Sequence, residues 1–100
     1  MNLLGPTCRC QKSQLVVARD VAGELLLVPI RRRVADLHSI YALNDAAATV
    51  WNLADGNHTI SEIRDRLLEQ YEVEPERAAH DIAELMTRFL ELGLVEAVGD

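Results

Sequence analysis

"SIYALNDAAATVWNLADG", Ser39 to Gly56, changes period in its middle. Ser39-Ile40-Tyr41-Ala42-Leu43 alternates as a short strand does, and after Asn44 the apolar residues fall at helical spacing. Asn44 and Asp45 are both good N-caps. Ala47, Val50, Trp51 and Ala54 then share one face, and Gly56 is the expected stop. A strand that runs straight into a helix has one flank free of its own neighbours, so the question is what lies along that flank.

Working outward, "QLVVAR" (Gln14–Arg19) and "ELLLVPI" (Glu24–Ile30) are two further strand candidates, joined by a turn at Asp20-Val21-Ala22-Gly23. Pro29 ends the second or places it at an edge. Close spacing makes an antiparallel three-stranded meander the economical reading. The residues before Gln14 read as a flexible arm (1–13), interrupted by Gly5-Pro6, which leaves 14–100 as one domain.

Two more helices follow. "TISE" has capping-box spacing at Thr59 and Glu62, and Ile60, Ile63, Leu67 and Tyr71 form the expected buried stripe. Pro75 suits a first helical turn, and the third helix runs from there to Leu92, with Gly93 as its stop. At roughly 100° per residue its apolar residues make two stripes. Ala78, Ile82, Leu85, Phe89 and Leu92 form one; Ala79, Ala83, Met86 and Leu90 form the other. The second stripe either completes the core or lines a groove. "LVEAV" (Leu94–Val98) adds a last short strand. The fold class is therefore α+β: a three-stranded antiparallel sheet followed by a winged-helix-like trio of helices.

Composition bounds the function. The chain has 100 residues, a formal net charge of −6, 49% hydrophobic and 26% charged residues, which fits one globular domain. An acidic balance argues against a surface built for nucleic acid. No apolar run is long enough to span a bilayer, and "MNLLGPTCRC" is no secretory signal, so the cytosol is the expected compartment. Cys8 and Cys10 are then two reduced thiols, too few for a metal site, with His38, His58 and His80 scattered elsewhere. No nucleophile–base set stands out: His80 and Asp81 are helix neighbours that point apart. No cofactor and no catalytic residue is expected.

The run Y-A-L-N-x-x-A-A-x-x-W-x-L-x-D-G-x-x-T-I-x-E-I, from Tyr41 to Ile63, followed by "FLELGLVE" (Phe89–Glu96), resembles the PqqD-like family, the precursor-peptide recognition elements. The resemblance covers nearly the whole chain after residue 13. It implies a non-catalytic module that binds the leader segment of a ribosomally made precursor peptide. Such a module presents the leader to a modifying enzyme, often of the radical SAM type, as in pyrroloquinoline quinone biosynthesis. It further implies that the leader pairs as an extra strand with Ser39, Ile40, Tyr41, Ala42 and Leu43. Ala79, Ala83, Met86, Thr87 and Leu90 of the third helix would face it. Arg31-Arg32-Arg33 reads either as a solvated connection or as a contact for an acidic leader. The alternative function is a winged-helix DNA-binding regulator, against which Asp81, Glu84 and Glu91 outnumber Arg77 and Arg88 on the helix that would enter the groove. Oligomeric state stays open, since N-terminal strands can exchange between copies.

Overall fold

A computed structural model describes residues 5, 7–30 and 40–98. Six strands and three helices occur in the order β1 (Arg9–Lys12), β2 (Val16–Val21), β3 (Glu24–Pro29), β4 (Tyr41–Leu43), α1 (Asp45–Leu53), β5 (Asp55–Thr59), α2 (Ile60–Gln70), α3 (Pro75–Glu91), β6 (Val95–Ala97). They build two three-stranded antiparallel sheets, ordered β2-β3-β4 and β5-β1-β6. The α+β class and the strand-to-helix switch at Asn44 stand as read. The second sheet does not follow from the sequence pattern.

The meander forms because Ala22 (φ 53°) and Gly23 (φ 84°) both take left-handed backbone, the geometry of a two-residue hairpin turn that matches strand twist. It sets the pairs Val21↔Glu24, Ala18↔Leu27 and Val16↔Pro29. β4 then pairs with β3 through Leu25↔Leu43, Leu26↔Ala42 and Leu27↔Tyr41. Leu27 is fully buried, and Leu25, Tyr41 and Leu43 pack beside it against the core.

The largest departure from the sequence reading is at the N-terminus. The segment expected to be a loose arm holds β1, the central strand of its sheet. Cys10 is opposite Ala97, Lys12 is opposite Val95, and on the other side Gln11 is opposite Asp55. The cause is burial. Cys10 is wholly inside, and Lys12 donates from Nζ to the carbonyls of Asn52 (2.8 Å) and Ala54 (3.2 Å). It thereby supplies at the end of α1 the cation that the helix's own last turn lacks. The ammonium lies 5.1 Å from the Trp51 ring centroid.

Three helix ends have a local cause. Asn44 caps α1 by accepting from the Ala47 N–H at 2.8 Å. The α2 capping box is complete: Thr59 Oγ1 accepts from the Glu62 N–H (3.1 Å), and Glu62 Oε1 accepts from the Thr59 N–H (2.7 Å). At the end of α3, the Gly93 N–H donates to Leu90 O (3.1 Å) and the Leu94 N–H to Phe89 O (2.8 Å). Gly93 (φ 73°) makes this Schellman closure possible. Two endings differ from expectation. α1 stops at Leu53, before Gly56, and Gly56 (φ 84°) lies inside β5, where an added Cβ would come 3.4 Å from the Gln11 side chain. Tyr71 does not continue the α2 stripe: it is the C-cap, extended at φ −129°, ψ 141°, and 36% exposed. The backbone has left the helix one residue earlier, so the spacing from Leu67 no longer directs the ring inward.

Candidate functional site

Two elements carry the predicted site. β4 pairs with β3 on one side, and among the described residues no strand pairs with its other side. Among the described residues the N–H and C=O groups of that edge have no strand partner, and a further strand can satisfy them. Its alternation is clear: Tyr41 and Leu43 are half-buried and turn to the core, while Ala42 is exposed. Ile40, just before the strand, is 61% exposed. Ser39 and Arg31–Arg33 lie outside the described residues.

The second element is α3, where the structure divides the second stripe. Met86 is completely buried within the core, beside Ile82 and Phe89. It is therefore not an accessible groove wall: it packs in one buried cluster with Ile63 and Leu67 of α2. Ala79, Ala83 and Leu90 are half-buried. A cleft of about 670 Å³ runs along α3, lined among the described residues by Ala83, Leu85 and Thr87 and by the polar His80, Asp81, Glu84, Arg88 and Glu91, all of them on α3 and none on β4. The Thr87 hydroxyl donates to Ala83 O at 2.7 Å, so its proton is used inside the helix and it offers the cleft a methyl group and acceptor capacity. His80 Nε2 lies 3.2 Å from Glu84 and Arg77 lies 3.8 Å from Asp81. These pairs are exposed and contribute little to stability. Together with Glu91 they leave this face of α3 with a carboxylate excess, which suits a peptide better than a phosphate backbone.

The remaining polar chemistry is structural. Asp55 accepts from the backbone N–H groups of Asn57 (2.9 Å) and His58 (3.2 Å), and its two oxygens each lie 3.0 Å from His58 Nδ1. The His58 side chain, then the Asn57 N–H, hold the carboxyl at about 2 instead of its ordinary 3.8. Burial, and then the charge of neighbouring Cys8, push the Cys10 thiol up, which makes it a poor nucleophile. Among the described residues no three His, Cys, Asp or Glu side chains gather as metal ligands, and no helix is long and apolar enough to cross a membrane.

Solved structures share this architecture. TbiB1 in complex with the TbiA(beta) leader peptide superposes with a TM-score of 0.74 at 19% identity, over 90% of this chain and 99% of that one. Lasso peptide synthetase B1 complexed with the leader peptide gives 0.73 at 24% identity, over 91% and 99%. The PqqD truncation of Methylobacterium extorquens PqqCD, a stand-alone recognition element for ribosomally synthesized and post-translationally modified peptides, gives 0.72 at 20% identity, over 95% and 96%. At these identities the likeness establishes the fold. No curated protein matches the chain. Residues 24–95, from the second strand of the meander to the last strand, match the family described as coenzyme PQQ synthesis protein D, and by that match, over well more than half its length, the chain belongs to the PqqD family.

Proposed function

We propose that this domain is a non-catalytic recognition module that binds the leader segment of a ribosomally made precursor peptide and presents it to a modifying enzyme. The observation that carries the reading is the edge of β4, open among the described residues and packed on the same core as α3. Two of the similar structures hold a leader peptide, which supports the same role here. The leader adds as a strand along Ser39–Leu43, and its inward side chains meet the α3 face at Ala79, Ala83, Thr87 and Leu90. A fully buried apolar anchor would contribute roughly 1.5–3 kcal/mol, offset in part by ordering the free peptide. A radical SAM enzyme, in pyrroloquinoline quinone biosynthesis or a related pathway, is the partner we favour, with the cytosol as the compartment.

Ala83→Arg tests the site. Ala83 is half-buried and lines the cleft, so the longer side chain fills it while its charge reaches solvent. Isothermal titration with the leader of the precursor encoded beside this chain should show binding to the wild type and none to a variant with unchanged circular dichroism. Equal affinity would place the groove elsewhere.

A further inference from the structure

An edge strand with one face on the core ordinarily turns polar residues outward. The β2-β3-β4 sheet does so only in part: Arg19 and Glu24 are outward and exposed, but apolar residues share that face. Its register puts Val17 opposite Val28 and Leu26 opposite both Arg19 and Ala42, all on the face away from Leu27. Ile40 extends that row beyond β4 and is 61% exposed. The edge at β4 is thus apolar on both faces: Tyr41 and Leu43 inward, Ile40 and Ala42 outward. Among the described residues neither the core nor the α3 cleft covers the outward pair.

A second copy of the chain is a poor occupant. Three short strands offer a face on the order of 300 Å², against the roughly 800 Å² per partner of a stable interface. The net charge of −6 also repels copies from one another. An added strand, by contrast, sets its own outward side chains beside Ala42 and Ile40, at cross-strand contact distance. β4 is three residues long, so backbone hydrogen bonds alone are few, and side chains on both faces must supply the rest.

We infer that the bound segment is apolar at about four consecutive positions: two side chains inward beside Leu43 and Tyr41, and the alternate two outward beside Ala42 and Ile40. The inference rests on strand addition at β4 and adds a sequence requirement to it. A leader with simple polar–apolar alternation is a poor ligand, and Ile40 and Ala42 are specificity residues.

The test is selection of a displayed random dodecapeptide library on the wild type, on Ile40→Lys and on Ala83→Arg, each checked by circular dichroism. The wild type should enrich peptides with an unbroken apolar run. Ile40→Lys should bind them roughly two- to five-fold more weakly, the scale of one cross-strand pair, and should itself select Asp or Glu at one outward position. Ala42→Glu, at a second exposed position, should instead select Lys or Arg. Alternating peptides from the wild type, or the same peptides from wild type and Ile40→Lys, would overturn the inference while leaving strand addition intact, provided Ala83→Arg still abolishes binding. Peptides indifferent to Ala83→Arg as well would overturn both. A concentration-dependent dimer in sedimentation that Ile40→Lys dissociates would overturn it too, by making a second copy the occupant.

Discussion

Ala22 occupies left-handed backbone at φ 53° in the β2–β3 turn, a conformation that costs an L-residue with a Cβ roughly 1 kcal/mol. Asparagine tolerates it, and Asn-Gly is the preferred pair for such a turn. Ala22→Asn should raise stability by about 0.5–1 kcal/mol, read from urea denaturation with Trp51 fluorescence; a loss would mean the turn is not of this type. Asp55 gives a pH signature. Its folded pKa of about 2 lies below the ordinary 3.8, so the folded state binds fewer protons in that interval. Its stabilising contribution is therefore present above about pH 4 and lost as pH falls through about 2. The side chain is 38% exposed, so solvent screening keeps the effect small. Asp55→Asn should flatten stability against pH between 4 and 2, and an unchanged slope would assign the acid sensitivity to other carboxylates. At this scale much was legible: Asn44, Thr59, Glu62 and Gly93 take the roles that their residue types and spacing assign.

β1 is the element that sequence reading misplaces. Arg-Cys-Gln-Lys shows no β-branched residue and no apolar alternation, so nothing local marks a strand; its pairing with β5 and β6 does. β5, Asp-Gly-Asn-His-Thr, is hidden for the same reason, being rich in residues depleted from strands. Deleting residues 1–13 should therefore unfold the domain instead of trimming it, seen as loss of the cooperative thermal transition. A truncated chain that melts normally would restore the view of a dispensable arm. On α3, Met86 sits in the core at 0% exposure. Met86→Ala should cost about 2–5 kcal/mol through the cavity it leaves, and a cost below 1 kcal/mol would return that residue to the cleft.

For the whole molecule, the consequence of the second sheet is that distant segments of the chain are tied together. β1 ties the C-terminus of α1 to the last strand through Lys12 and the β6 pairing. Tyr41 and Leu43 of β4 pack on the same core as Met86 and Phe89 of α3, so at the proposed site both elements are in place before a peptide arrives, which lowers the ordering cost of binding. Strand addition predicts a period of two in the ligand. N-methylation of leader amides that face β4 should weaken binding about five-fold or more each, on the scale of one net hydrogen bond. Methylation of the alternate amides should have little effect. A loss spread evenly over successive positions would point to a helical or irregular ligand instead.

The strand-to-helix switch at Asn44, the meander, the capped helices and the second apolar stripe of α3 were all present in the sequence by itself. Each rests on interactions within a few residues, where period, caps and turn chemistry operate. The tertiary structure decided which of two stripe residues was core: Met86 and Ala83 have similar helical phase, and only the assembled core buries the first and leaves the second at the cleft. It also decided that Arg9–Lys12 is a strand. Its partners, Asp55–Thr59 and Val95–Ala97, lie far along the chain, and a pairing between distant segments leaves no local periodic trace.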